Sequence, residues 1–177
     1  MKIKLGKVHV NTGDGHGKTT TSLGVAMRAI GHGYKVCMIQ FLKGRKNIGE
    51  YLIQKRLMPN FVLYQFGSKN FIVNNKNKKK DTNNVLKGLE FADNIMKKKL
   101  YNIIILDEIN VAVDLNLINE QTLLNFIENH RNKGVEIILT GRNAKEKIIE
   151  VADIVTDMKK VKHYYDQGVA ARKGVEY

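Results

Sequence analysis

One cysteine, one proline and no tryptophan occur among the 177 residues. With Cys37 standing alone, an internal disulfide is excluded, and so is any zinc site built on paired cysteines. Acidic residues are scarce as well: 17 Asp and Glu face 30 Lys and Arg, leaving a formal net charge of +13. No apolar run approaches the roughly 18 to 20 residues of a membrane-spanning helix, so no membrane partner is expected. The basic stretch Met1 to Lys7 leads into only a short apolar run and does not read as a signal peptide. Hydrophobic residues make up 43% of the chain, enough for a packed core, which excludes disorder of the whole. What remains is a soluble, cytoplasmic chain of one domain over residues 1–177, with a positive charge to explain.

Clustered Lys and Arg are the usual footprint of nucleic-acid binding. The excess here is local. Lys76, Lys78, Lys79 and Lys80 form one cluster, and Lys97, Lys98 and Lys99 another. The first falls in Ser68 to Asn84, rich in Asn and Lys and poor in apolar residues, which reads as a solvated loop. The second ends a helix, where cations suit the negative end of the dipole. Neither is interleaved with aromatics, as a base-stacking surface would be, so no nucleic-acid partner is expected. A basic nucleic-acid-binding protein stays as the non-enzymatic alternative.

Strand-like and helix-like runs alternate. Lys7–Asn11 is a short β-type run, Lys18–Ile30 has helical spacing through Leu23, Ala26, Met27 and Ile30, and Val36–Phe41 is an apolar run of strand length. A helix over roughly 48–57 ends before Pro59, and Phe61–Phe66 is the next strand. Val85–Lys99 reads as a helix with Leu86, Leu89, Phe91 and Ile95 as its apolar contacts. Asn102–Asp107 carries four consecutive apolar residues, the mark of a strand buried on both faces. A helix at 120–131, a strand at 135–140, a short helix near 145–151 and the strand Ile154–Thr156 follow. This alternation predicts a three-layer α/β fold around a mainly parallel central sheet.

The turn after the first strand, Thr12-Gly13-Asp14-Gly15-His16-Gly17-Lys18-Thr19, ends in the Gly-Lys-Thr of a phosphate-binding loop and stands between a strand and a helix, as that motif requires. Glycines let backbone N–H groups turn inward around phosphate oxygens, and the helix N-terminus adds positive potential. Lys18 would place an ammonium on the phosphates, and Thr19 would offer a hydroxyl to Mg²⁺. Thr12 stands where the usual first glycine would be. The strand 103–107 ends in Asp107-Glu108; such a strand is expected beside the first, where Asp107 orients the Mg²⁺ shell and Glu108 is a metal ligand or positions water. Triphosphate plus Mg²⁺ is the reading of these residues, which leaves kinase, NTPase, switch and transferase open. A thymidine-kinase-like enzyme normally carries a paired-cysteine zinc element, which one cysteine cannot build.

The stretch from Thr12 to Gly44 resembles the N-terminal half of the ATP:corrinoid adenosyltransferases of the CobA/BtuR type, P-loop proteins. The resemblance rests on the threonine-led loop, Arg28-Ala29, Gly31-His32-Gly33, Gln40-Phe41 and Lys43-Gly44. It continues through Gly49-Glu50, Leu106-Asp107-Glu108, Leu139-Thr140-Gly141-Arg142, Ala152-Asp153, Val161-Lys162-His163, Asp166-Gln167-Gly168-Val169 and Ala171 to Tyr177. It implies that the Co(I) of a corrinoid attacks the 5′ carbon of ATP and releases triphosphate, with ATP lying in the loop in the reverse of the usual direction. Thr12, Gly13, Asp14, Gly15, His16, Gly17, Lys18, Thr19 and Thr20 would then hold ATP. Lys18 and Glu108 would be catalytic, with Thr19, Asp107 and Glu108 at Mg²⁺. The resemblance also implies aromatic side chains under the corrin, for which Phe71 and Phe66 are the candidates; some relatives carry a tryptophan nearby, and this chain has none. His16 replaces a lysine common at its position in the family. A homodimer is implied, and the positive charge is expected to attract ATP or an acidic electron donor of the flavodoxin or ferredoxin type.

Overall fold

A computed structural model describes residues 5–68 and 77–177. Three strands and three helices make up the first half: β1 (Val8–Thr12), α1 (Lys18–Gly31), β2 (Val36–Phe41), α2 (Gly49–Leu57), β3 (Phe61–Phe66) and α3 (Lys78–Lys97). The second half runs β4 (Ile103–Asp107), α4 (Ile109–Asp114), α5 (Glu120–His130), β5 (Glu136–Thr140), α6 (Glu146–Glu150) and β6 (Ile154–Asp157), then a short 3₁₀ turn at Tyr164–Gln167. Among the described residues the six strands form one parallel sheet in the order β3-β2-β4-β5-β1-β6.

The central strands are buried on both faces, and successive side chains point to opposite sides. Ile104 and Leu106 of β4 pack with Val85, Leu89 and Ala92 of α3 and with Ile109 and Val113 of α4. Ile103 and Ile105 pack with Ala26 and Ala29 of α1 on the other side. This gives three layers, as the alternation in the sequence predicts. Cys37, in the middle of β2, is fully buried among these residues. Among the described residues no helix is long and apolar enough to cross a membrane.

Three expectations change. First, β4 does not lie beside β1: β5 is inserted between them, pairing with β4 through Ile104↔Ile137 and with β1 through Val10↔Leu139. Second, α3 starts at Lys78, so residues 78–84 are helix and not loop. The first apolar residue of α3, Val85, comes two turns in, and Asp81 is the first side chain to be buried. Periodicity has nothing to register over that stretch, although lysine is a good helix former. Third, Met27 and Leu86, placed on apolar stripes by spacing, are 56% and 45% exposed, while Ser22, Ala29 and Met96 are buried instead. The lysines at 97–99 do close α3, with Lys97 ending it and pairing with Asp93 one turn back.

Candidate active site

The carboxyl ends of the parallel strands converge on one edge of the sheet, where ligands bind in open α/β folds. Each of four neighbouring strands delivers a polar residue there: Thr12 from β1, Gln40 near the end of β2, Asp107 from β4 and Thr140 from β5. All four are buried.

The loop from Gly13 to Gly17 leaves β1 and feeds α1. Gly13 has φ +97°, and a Cβ there would sit 2.4 Å from Asp157 Oδ1 and 2.5 Å from the Met158 carbonyl, so only glycine fits. Gly17 opens α1 from the left-handed region at φ 116°, with no side-chain cap and no acid in the first turn of the helix. That leaves the helix N-terminus for an anion. Lys18 Nζ donates to the carbonyls of Gly13 and Gly15, both at 2.6 Å, which folds the lysine over the loop. Partial burial, and then repulsion from Arg142, hold its pKa below the usual lysine range.

Asp107 is the hub behind the loop. Its Oδ1 accepts hydrogen bonds from Thr19 (2.9 Å) and Thr140 (2.7 Å); its Oδ2 accepts from Gln40 Nε2 (3.1 Å) and Lys43 Nζ (2.7 Å). The Thr19 bond ties the first turn of α1 to the end of β4 across the intervening strand, so the two motif elements meet although their strands are not neighbours. Complete burial alone would raise the Asp107 carboxyl. The Lys43 ammonium and the donors around it outweigh burial and hold it below the ordinary carboxylate range.

Glu108 follows in a left-handed conformation, φ 66°, a region few non-glycine residues adopt, and its N–H donates to Thr140 Oγ1 at 2.9 Å. The kink turns its side chain toward the loop, where its Oε1 lies 3.4 Å from Lys43 Nζ. Burial raises its pKa, with Lys43 acting in opposition. One hydroxyl and two carboxylates, Thr19, Asp107 and Glu108, thus sit together at the foot of the loop. This is the oxygen donor set Mg²⁺ takes when substrate phosphates and waters complete its shell. No group of three or more His, Cys, Asp or Glu side chains poised for a metal occurs among the described residues.

A cavity of about 970 Å³ opens above the loop, lined by residues 14–20, Lys43, Glu50, Glu108 and Arg142 and closed by the C-terminal segment. That segment runs from β6 over the loop: Gly15 N donates to the Met158 carbonyl (2.6 Å), and Lys160 N to Asp14 Oδ1 (3.0 Å). The Lys160 bond is the main reason the Asp14 carboxyl lies below its usual pKa. Farther on, Tyr164 hydrogen-bonds Glu176, which also pairs with Arg172, and the Arg172 guanidinium lies 4.7 Å from the Tyr164 ring centre. His163 meets His16 edge-on, with ring centres 6.1 Å apart.

The structure therefore brings together Asp14 to Thr20, Asp107 and Glu108. Thr12 lies at the back, its Oγ1 accepting from Ala144 N at 3.1 Å, with Gly13 carrying the turn beside it. Phe66 packs against Phe91 and over Gly88 of α3 and does not line this cavity. Phe71 lies outside the described residues. Gln40, Lys43, Thr140 and Arg142 join the site with no role assigned from sequence. Their signal was positional: polar residues at or just beyond the carboxyl end of otherwise apolar strands.

A triphosphate-binding loop tied to a strand-end carboxylate at this edge defines a P-loop nucleotide-binding protein of the α/β class. The family model described as ATP:corrinoid adenosyltransferase BtuR/CobO/CobP matches residues 4–177. A corrinoid adenosyltransferase of Sinorhizobium sp. is 35% identical over 173 residues, covering 97% of this chain and 80% of the relative. That of Escherichia coli K12 is 33% identical over 172 residues, 97% of this chain and 86% of the relative. The corrinoid adenosyltransferase CobA of Salmonella typhimurium LT2 is 32% identical with the same coverage. The chain belongs to the ATP:corrinoid adenosyltransferase family, and its reaction is the ATP-dependent adenosylation of a corrinoid.

Proposed function

We propose that residues 1–177 act as one catalytic domain in which the loop stabilises a departing triphosphate while cobalt attacks the 5′ carbon of ATP. The observation that carries this is the 2.9 Å hydrogen bond from Thr19 to Asp107, which fixes the loop helix and the carboxylate strand as one site. The bond that forms is cobalt–carbon, with Co(I) supplying the electron pair; the bond that breaks joins C5′ to the triphosphate oxygen, which leaves with its electrons. No protein nucleophile is required. The loop N–H groups from Gly13 to Thr19, apart from that of Gly15, which the Met158 carbonyl holds, face the growing negative charge together with Lys18, a preorganised arrangement that costs no reorganisation during the reaction. Thr19, Asp107 and Glu108 would hold Mg²⁺, which would supply further positive charge to the triphosphate. Glu108 is a metal donor on this reading and activates no water. Thr12, Asp14, His16 and Thr20 complete the ATP contacts, and Phe66 and Phe71 stay as the aromatic candidates for the lower corrin face.

Incubation with ATP, Mg²⁺ and Co(I) cobalamin should give the absorption spectrum of adenosylcobalamin together with free triphosphate. Formation of ADP and phosphate with cobalt unchanged would falsify this reading in favour of an NTPase or kinase.

Two partners belong to the same reading. Met27, Leu52, Ile53 and Met58 are exposed around α1 and α2, beside an apolar groove of about 190 Å³ between these helices, which supports a homodimer. Light scattering on purified protein tests it. The net charge of +13 supports docking of an acidic flavodoxin- or ferredoxin-type donor in the cytoplasm. Reduction rates with such a donor should fall as salt rises.

A further inference from the structure

Lys43 is built into the site with unusual care. The chain leaves β2 through Leu42, a buried residue held at φ 60°, in the left-handed region that leucine seldom enters. Leu42 N donates to the Phe66 carbonyl at 3.2 Å, and Gly67 lies flat against this turn. A Cβ on Gly67 would stand 2.3 Å from Lys43 N and 2.4 Å from the Leu42 carbonyl carbon; one on Gly44 would stand 2.7 Å from the Gly67 carbonyl oxygen. Two glycines and a strained leucine thus fix where the Lys43 stem begins.

The ammonium ends among three oxygens: Asp107 Oδ2 at 2.7 Å, Thr19 Oγ1 at 3.3 Å and Glu108 Oε1 at 3.4 Å. An ammonium has three N–H groups, and these oxygens match them in number. They are also the three protein groups read above as Mg²⁺ donors. One positive charge therefore stands where a divalent ion would stand, against two carboxylates, and the two cations cannot share the position. Lys18, which also lines the cavity, is turned away onto the Gly13 and Gly15 carbonyls.

We propose that Lys43 is a tethered cation that occupies the divalent-metal position while the nucleotide is absent and gives it up when metal and triphosphate arrive together. The consequence is conditional metal binding. Mg²⁺ alone must displace an ammonium held by both carboxylates and finds no phosphate oxygens in return. Mg²⁺ with a triphosphate brings those oxygens, and the displaced ammonium, which already lines the cavity, gains an anionic partner there.

The proposal rests on Thr19, Asp107 and Glu108 being the metal donors, and the test separates the two. Mn²⁺ binding to nucleotide-free protein is followed by electron paramagnetic resonance, for wild type, Lys43→Gln and Asp107→Asn, with and without inorganic tripolyphosphate. Wild type should bind Mn²⁺ only when tripolyphosphate is present. Lys43→Gln should bind Mn²⁺ alone at least tenfold more tightly than wild type, and Mg²⁺ should raise its melting temperature while leaving that of wild type unchanged. Equal Mn²⁺ affinity for wild type and Lys43→Gln, without tripolyphosphate, overturns the role of Lys43. Undiminished Mn²⁺ binding by Asp107→Asn with tripolyphosphate overturns the donor assignment. Should Lys43→Gln not fold, ¹³C-labelled lysine in wild type gives the second readout, with the Lys43 side-chain signal assigned through Lys43→Arg. That signal should move with Mg²⁺ plus tripolyphosphate and not with Mg²⁺ alone; movement with Mg²⁺ alone, or with neither, sinks the proposal.

Discussion

A lysine at the end of a glycine loop is worth what its geometry allows. Lys18 Nζ is held by two loop carbonyls at 2.6 Å and burial disfavours its charge, so it is poised to exchange neutral acceptors for anionic ones. Lys18→Ala should lower kcat by about 10² to 10³, the usual cost of losing one such donor, with little change in melting temperature. Steady-state adenosylation beside a thermal melt checks both halves. Far from the site, Glu136 binds the start of β1: its Oε2 accepts from the Gly6 and Lys7 N–H groups at 2.8 and 3.0 Å, and its Oε1 meets His9 Nε2 at 2.7 Å. Burial opposes ionisation of Glu136, but the hydrogen bonds from His9, Gly6 and Lys7 prevail and its pKa is lowered. A depressed carboxylate contributes stability that is present above its unfolded pKa and is lost as pH falls through its folded pKa. Glu136→Gln should therefore reduce the melting temperature at pH 7 and make much less difference near pH 3; an equal loss at both would remove the charge-based explanation. Gly13 and Gly17 are legible in sequence because their left-handed backbone favours glycine, and Lys18 because it follows them in the motif. The position of Lys43 Nζ is not legible, because it depends on a left-handed leucine and on a glycine 24 residues later in the chain that packs against it.

Elements carry the next level. All six strand positions were readable, those of β2, β4 and β5 because both-face burial writes mostly apolar runs, and β2 and β3 match their expected bounds, Val36–Phe41 and Phe61–Phe66. The insertion of β5 between β1 and β4 was not readable, because strand order lies in pairing and leaves no mark on the composition of a strand buried on both faces. The first two turns of α3 were hidden for the opposite reason, since they are nearly all polar. What holds α3 down begins at Val85 and includes Gly88, where the helix meets the sheet: a Cβ there would lie 2.7 Å from Phe41 Cε1 and 3.0 Å from Phe66 Cγ. Both rings belong to the core beneath α3, and Phe41 is fully buried. Gly88→Ala should cost about 1–3 kcal/mol, the usual range for overpacking, although alanine is the better helix former. Urea unfolding monitored by circular dichroism measures it, and a gain in stability would show that α3 can lift from the sheet freely.

At the level of the whole molecule, the nucleotide cavity is shared between distant parts of the chain. Its floor is the loop after β1, and its wall is the segment beyond β6, which reaches Asp14 from Lys160 and closes on itself through Tyr164, Arg172 and Glu176. The named core side chains end at Ile148, and from residue 162 onward every residue is partly or fully exposed. Deleting 162–177 should therefore leave the melting temperature nearly unchanged while weakening ATP binding at least tenfold in isothermal titration; a matching collapse of both would make the segment structural. The separation of floor and wall has a further bearing on how the protein is made. Asp14 and Lys160 are 146 positions apart, so the phosphate loop leaves the ribosome long before the chain that roofs it. Domains form from the N-terminus during synthesis, and contacts between distant positions are the slow ones. A nascent chain thus carries an exposed, unroofed loop while the residues between Asp14 and Lys160 are made, and competence to retain ATP waits on that distant segment.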